Sequence, residues 1–105
     1  MPEYELTPDA EDDLREIARF TTKTWGAAQA RRYKAALLRG FKAVAQETAR
    51  TRRPLPHRPD VRSCRCEHHY IFSIHEEGAK PVIVAVLHEN MDLPTRPRKR
   101  LAVGE

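Results

Sequence analysis

The sequence predicts an α+β fold with the element order β-α-α-β-β-β, in which a helical hairpin packs on one face of a small, mainly antiparallel sheet. Two segments with apolar residues at helical spacing lie before residue 50, and three short strand-like segments separated by turns lie after residue 60. Consecutive strands joined by short turns pair as an antiparallel meander. A chain of 105 residues suits one domain. We place that domain at residues 1–92, followed by a basic tail at residues 93–105.

The first part of the chain predicts a short strand and a helix. Tyr4-Glu5-Leu6 is typical of a strand, and Thr7-Pro8 indicates a helix start, because threonine caps free backbone N–H groups and proline suits the first helical position. Gly26 indicates the helix end. The predicted buried face comprises Ala10, Leu14, Ile17, Ala18, Thr21 and Trp25. We therefore expect Trp25 to pack in the core or the hairpin rather than to bind a partner.

A second helix is expected from about Ala27 to Ala49. Its buried face comprises Ala30, Tyr33, Leu37, Phe41 and Val44. Because the break at Gly26 is short, the two helices should form an antiparallel hairpin. Gly40 lies inside the second helix, where glycine costs roughly 1 kcal/mol relative to alanine. We expect close packing against a neighbouring element to compensate.

Three strands follow a loop at residues 50–60 that holds three prolines and four arginines. Val61–Cys64 starts the first, a turn near Cys66-Glu67 leads to the second at His68–His75, and the third spans Pro81–His88. On the second strand, Tyr70, Phe72 and Ile74 should share one face. The third contains six consecutive apolar residues, Val82 to Leu87, a pattern that requires cover on both sheet faces.

Two helices can cover only one of these faces. Alternation would place Val82, Val84, Val86 and His88 on one side of the last strand, and Ile83, Ala85 and Leu87 on the other. The second face stays open unless loops, the tail or a partner protein fill it. A large exposed apolar patch often marks a binding surface.

Charge and hydropathy restrict the functional classes. No apolar run approaches the roughly 18 residues of a membrane span, and the acidic N-terminus does not resemble a signal peptide, so a cytoplasmic location is the default. Residues 31–66 carry eleven Lys or Arg against two Asp or Glu. Such a basic block attracts nucleic acid or an acidic protein, although a solvated surface explains it equally well.

The strand region also concentrates histidines, at positions 68, 69, 75 and 88. A ribonuclease site needs a base, an acid and a cation for the phosphate. If the protein is a ribonuclease, the candidate catalytic residues are His69, His88 and Arg65, with His88 as the late acid. Exposed histidines at strand ends are the plainer interpretation. Cys64 and Cys66 are expected to be free thiols rather than metal ligands, because a second ligand pair is missing. No phosphate-binding or dinucleotide-binding glycine motif occurs, and no cofactor is expected.

The ordered set of segments resembles ParE-type toxins of the RelE/ParE superfamily. The resemblance rests on the opening YELTPDAEDDLREIARFTTKTWGAAQARRY, the central Arg-Pro before Val61-Arg62-Ser63, the segment HHYIFSI and the close VLHENMD, and covers about residues 4–92. It implies the same β-α-α-β-β-β fold. In one nuclease sub-branch the corresponding strand reads E-H-R, and here His69 replaces that arginine. A Gly-Arg turn common before this strand in ParE is also replaced, by Glu67-His68.

The resemblance implies a toxin of a two-gene toxin–antitoxin module that inhibits DNA gyrase without doing chemistry on it. The expected partner is a ParD-like ribbon-helix-helix antitoxin, in a hetero-oligomer, with DNA contacted only through antitoxin or gyrase. The expected antitoxin-binding residues are Val82, Val84, Val86, Tyr70 and Phe72. The expected target-binding residues are Arg58, Arg62, Arg96, Arg98, Lys99 and Arg100. The alternatives are a RelE-like ribosome-dependent messenger-RNA endoribonuclease and a non-toxic binding partner in an autorepressor complex.

Overall fold

The structure, a computed structural model, describes residues 4–89 and has the predicted element order. Its elements are β1 (Glu5–Leu6), α1 (Pro8–Trp25), α2 (Ala27–Ala45), β2 (Val61–Cys66), β3 (His69–Ile74) and β4 (Val82–His88). The α+β class and the helical hairpin on a small sheet are therefore confirmed. The boundary placed between residues 92 and 93 lies outside the described residues and stays a prediction.

The helix ends follow the sequence signals, except at the end of α2. Thr7 caps α1 by accepting the backbone N–H of Ala10 at 3.1 Å, and Pro8 occupies the first turn. Gly26 ends α1 with φ +94°, a conformation that side chains other than glycine rarely adopt. The second helix ends at Ala45, four residues before the expected Ala49, and Glu47 follows in the left-handed region with φ +58°.

The sheet has the strand order β1-β4-β3-β2. Strands β2, β3 and β4 form the predicted antiparallel meander, while the short β1 pairs parallel to β4 through Glu5↔Val82 and Leu6↔Ile83. Strand β4, with its uninterrupted apolar run, is thus an inner strand. Helix α1 packs over β4 and helix α2 over β2.

A β-bulge in β4 changes which residues face the helices. Phe72 pairs with Ala85 and the next residue, Ser73, pairs with Ile83, so Val84 is the extra residue. Val86 therefore packs with Ile71 among the helix-side residues. The expectation that Val82, Val84 and Val86 share one face is wrong for Val86, because the bulge shifts the alternation between them.

The main core lies between the hairpin and the sheet. Leu37, Phe41 and Ile71 are fully buried there, with Tyr4 against Phe41 in an edge-on contact at 5.7 Å between ring centroids. Gly40 fits as expected, since a Cβ at this position would lie 2.9 Å from both the Cys66 Sγ and the Ile71 Cδ1. The absence of a side chain at Gly40 lets α2 approach the sheet.

A carboxylate of α1 occupies a backbone group of β4 that the short strand β1 does not reach. Strand β1 reaches only Val82 and Ile83. Further along the strand, the backbone N–H of Val86 donates to the Oδ2 of Asp13 in α1 at 2.9 Å. None of the helices within residues 4–89 is long and apolar enough to cross a membrane.

Candidate partner-binding face and histidine cluster

The sheet face opposite the helices carries a second apolar cluster, which we call the outer face. It comprises Phe72, Val84, Ala85 and Leu87, flanked by Tyr70, Ile74 and Val82. The four central residues are at most 7 % exposed, whereas the three flanking residues are only half-buried. The accessible part of this face is therefore its rim, and not the large exposed patch that an uncovered sheet would present.

Four of the five residues expected to bind an antitoxin lie on the outer face. Tyr70, Phe72, Val82 and Val84 belong to its cluster. Val86 does not, because it is 3 % exposed and packed on the helix side. Ala85 and Leu87, which the alternation had placed on the helix side, belong to the outer face.

A hydrogen-bonded cluster connects α2 to the ends of β3 and β4. The Tyr33 hydroxyl accepts the backbone N–H of His68 at 3.1 Å and lies 2.6 Å from the Nδ1 of His69. The His69 tautomer decides which of these two atoms donates the proton. His69 is directly opposite His88, with the two rings edge-on and 5.2 Å apart. The two histidines named for ribonuclease chemistry are thus neighbours on adjacent strands.

This environment keeps His69 neutral. Burial, and then the neighbouring His88 and His68, lower the pKa of His69 from 6.5 to about 4. Burial likewise raises the pKa of Tyr33. A general base at neutral pH works best with a pKa near 7 and a free acceptor nitrogen. His69 has a pKa of about 4, so it is poorly suited to that role.

Arg65 lies on the opposite sheet face from His69. It pairs across the strands with Tyr70, the residue next to His69, and its guanidinium lies 6.0 Å from the Tyr70 ring centroid. Its Nη2 is 3.3 Å from Glu89, which also contacts the His68 Nδ1 at 3.0 Å. The hydrogen bond from His68 holds the pKa of Glu89 below its usual range. The three residues proposed for ribonuclease chemistry are therefore not brought to one face.

The two described arginines expected to bind a target are held by carboxylates of the same chain. Arg58 makes a two-pronged contact with Asp60, at 3.0 and 2.9 Å, and this lowers the pKa of Asp60. Arg62 is paired with Glu47 at 3.2 Å, and its Nε is buried without a hydrogen-bond partner. The other expected target residues, Arg96, Arg98, Lys99 and Arg100, lie outside the described residues.

Arg62 also lines a shallow cleft of about 400 Å³ next to His75, Glu76 and Glu77. Burial and the neighbouring Arg62 lower the pKa of His75, which is 2.8 Å from the Ser73 hydroxyl. Within residues 4–89 no group of three or more His, Cys, Asp or Glu could hold a metal ion. Cys64 and Cys66 are both free thiols, and burial raises the pKa of each.

Sequence reasoning missed two features of the surface. Trp25 is 70 % exposed, and Phe20 is 66 % exposed, so the expectation that Trp25 packs in the core is wrong. Tyr33 was assigned to the buried face of α2, but it is half-buried and its hydroxyl organises the histidine cluster. A tyrosine at the edge of an apolar stripe is a signal for such a role, because a buried hydroxyl needs a partner.

Three comparisons with known proteins agree with this fold. A family model described as "ParE toxin of type II toxin-antitoxin system, parDE" matches residues 4–93. The curated "Toxin ParE" of Escherichia coli is 46% identical over 101 residues, which span 96% of this chain and 98% of the relative. A solved structure titled "Chromosomal ParDE TA system from P. aeruginosa" matches with a TM-score of 0.67 and 19% identity. That match covers 81% of this chain and 92% of the other, and it supports the fold alone.

Proposed function

This chain belongs to the ParE family of toxins from type II toxin–antitoxin systems, and we propose that it inhibits DNA gyrase and is neutralised by a ParD-like antitoxin. The observation that carries the proposal is the 46% identity to a ParE toxin over nearly the whole of both chains. The protein acts in the cytoplasm by binding gyrase, and no covalent step on the target is needed.

The histidine cluster supports inhibition over RNA cleavage. Ribonuclease chemistry needs a base, an acid and a cation around one phosphate. Here the His69 Nδ1 is bound to Tyr33, and Arg65 is on the other face of the sheet. Packing and hydrogen bonding at the ends of β3 and β4 account for His69 and His88.

Supercoiling by purified gyrase tests the proposal. Relaxed plasmid is incubated with gyrase, ATP and increasing amounts of the full chain, and the products are separated on agarose gels with and without detergent and protease. We expect supercoiling to be inhibited at micromolar toxin and linear DNA to accumulate after protein removal. Full supercoiling at that concentration would contradict the proposal. Cleavage of messenger RNA on translating ribosomes, lost in His88→Ala, would support a ribonuclease instead.

The antitoxin part of the proposal concerns the rim of the outer face. Tyr70 and Val82 are half-buried apolar side chains at this rim, so an apolar antitoxin segment that covers them removes them from water. Calorimetric titration with the product of the adjacent reading frame tests this. We expect Tyr70→Ala and Val82→Ala together to weaken binding by about 10-fold or more, since apolar area contributes about 25 cal/mol per Å². Leu38→Ala in α2 is the matched control, and equal weakening there would contradict the assignment.

A further inference from the structure

The turn end of the helical hairpin, residues 18–34, exposes two large aromatic side chains. We call this segment the hairpin tip. Trp25 is 70 % exposed and Phe20 is 66 % exposed, more than any other large apolar side chain among residues 4–89. Aromatic rings bury a large apolar area when they find a partner, although a single exposed apolar side chain is common on protein surfaces; the surrounding charge is what distinguishes this pair. The hairpin tip therefore has the composition of a contact surface.

The charge of the hairpin tip has a single sign. The sequence has no Asp or Glu between Glu16 and Glu47, a stretch that contains seven Lys or Arg. The cations within the hairpin tip are Arg19, Lys23, Arg31, Arg32 and Lys34, all of them exposed. Arg19 lies 3.5 Å from Glu16, but both side chains are about three-quarters exposed, and such a pair is weak. The surface thus attracts anions with little internal compensation.

The start of α2 lies at the hairpin tip next to the C-terminal end of α1, so the two helix dipoles largely offset each other there and the charge is set by side chains. Its N-cap residue is Gly26, which provides no side-chain hydrogen bond, and the first turn has no acidic residue. The free N–H groups at a helix start favour negative charge. By contrast, α1 begins with Asp9 and Glu11 in its first turn and a threonine cap. The two ends of the hairpin therefore differ in side-chain charge, because the first turn of α1 is acidic and that of α2 is not.

Aromatic rings among cations fit a single strand of nucleic acid better than an acidic protein. Phosphates along the strand require cations spread over a surface, and unpaired bases stack on exposed rings. A protein partner recognised by charge commonly meets both signs, since complementary pairs fix the register. Thirty consecutive residues without a carboxylate, from Ile17 to Gln46, are what a polyanion requires.

We propose that the hairpin tip binds single-stranded DNA, with Arg31, Arg32 and Lys23 on phosphates and Phe20 and Trp25 stacked on bases. The choice of DNA over RNA rests on the proposed function, because gyrase acts on DNA. Direct contact with DNA goes beyond the indirect contact, through antitoxin or gyrase, that the sequence predicts.

Trp25 is the single tryptophan of the chain, so its fluorescence reports on the hairpin tip alone. The full-length protein is titrated with a short oligothymidylate at several salt concentrations. We expect quenching of Trp25, and an affinity that falls as salt rises, by about 0.7 log unit per tenfold salt for each phosphate contacted. No quenching at low salt would overturn the proposal. The same result with an oligonucleotide that lacks bases would overturn the stacking contact.

Charge-matched variants separate the hairpin tip from the rest of the basic block. Arg31→Gln with Arg32→Gln should reduce the salt slope by about 1.4, two phosphates at 0.7 each. Arg50→Gln with Arg53→Gln removes the same charge from exposed positions in the loop and should leave the slope within about 0.3. Equal effects of the two pairs would overturn the proposal, because they would indicate a diffuse electrostatic attraction. Phe20→Ala should weaken binding about 10-fold, since stacking contributes that much per base.

Two further arms fix the ligand and the link to gyrase. RNA or duplex DNA that binds more tightly than single-stranded DNA would overturn the assignment to single-stranded DNA. In the supercoiling assay, Arg31→Gln with Arg32→Gln should require several-fold more toxin, and the loop pair should not. Quenching by DNA without any gyrase inhibition would remove the proposed function while leaving the binding surface in place. Gyrase inhibition without quenching would overturn DNA binding by the hairpin tip and leave the proposed function in place.

Discussion

Acid should destabilise this protein through His69 in a window between about pH 6.5 and pH 4. The folded state lowers the pKa of His69 from 6.5 to about 4, first through burial and then through the nearby His88 and His68. Between these two values the unfolded chain binds a proton that the folded chain does not, so the stability falls as the pH falls. Above pH 6.5 both states are neutral at this residue, and below about pH 4 both are charged.

The magnitude follows from the size of that gap. Each unit of pKa difference corresponds to about 1.4 kcal/mol, so the gap between 6.5 and about 4 sets an upper limit of roughly 3.5 kcal/mol. His69 is only half-buried, and solvent screening reduces the effect to about 1–2 kcal/mol. With a urea m-value of about 1–2 kcal/mol/M for a chain of this size, that is a change of about 1 M in the midpoint.

Urea unfolding at a series of pH values, for the unaltered chain and His69→Gln, measures this contribution. We expect the stability advantage of the unaltered chain over the variant to shrink by about 1–2 kcal/mol between pH 7 and pH 4.5. His75 and the carboxylates titrate in both proteins and cancel in the difference. His57→Gln, at an exposed loop position, is the control. A constant difference across the window, or a His69 pKa above 6 in an NMR titration, would refute the reasoning.

Three further predictions concern packing and the helix cap, each measured by urea unfolding. Gly40→Ala should lower the free energy of unfolding by about 1 kcal/mol, because overpacking outweighs the gain in helix propensity. The new Cβ would lie 2.9 Å from the Cys66 Sγ. Adding Cys66→Ala to the same chain should therefore recover part of the loss. Stabilisation by Gly40→Ala alone would show that α2 has room to move. Thr7→Ala should lower the free energy of unfolding by about 1 kcal/mol, because the hydrogen bond that caps the Ala10 N–H is lost. The control is Thr24→Ala at an exposed position, which should change the free energy of unfolding by less than about 0.5 kcal/mol. Val86→Lys should prevent folding, because it buries a charge on the helix side of the sheet. Val82→Lys, at the half-buried rim of the outer face, should still fold. A folded Val86→Lys variant and an unfolded Val82→Lys variant would contradict the bulge at Val84.

Local signals in the sequence predicted the elements well. The Thr7-Pro8 start, the Gly26 stop and the run Val82 to Leu87 each depend on a residue type with a strong conformational preference, and each lies where expected. The end of α2 was missed because Glu47 adopts a left-handed backbone that its side chain does not favour. Backbone hydrogen bonds from the N–H groups of Thr48 and Ala49 to the C=O of Ala43 close this end of the helix.

The positions of the candidate site residues depend on contacts between residues that are far apart in the sequence. The face of Val86 is set by a bulge at Val84, a residue type that gives no warning of one. The contact between His69 and His88 depends on the register of β3 and β4, which the bulge shifts by one residue. Trp25 matched the helical period of the buried face, but it lies at the hairpin end, where it is left 70 % exposed.

The hydrogen bond from Val86 to Asp13 has a consequence for the behaviour of the protein at high concentration. An unpaired row of amides along a strand is a template for the strands of other molecules, and sheets with such rows tend to aggregate. Strand β4 is the most apolar strand of this sheet, and its short neighbour β1 pairs with only two of its residues. By occupying the Val86 amide at 2.9 Å, the Asp13 carboxylate places a charged group where a second chain would have to dock. At the opposite sheet edge, the loop residue Arg52 occupies both the N–H and the C=O of Ser63 at 2.8 Å. Asp13 and Arg52 thus discourage edge-to-edge strand pairing between copies of this chain.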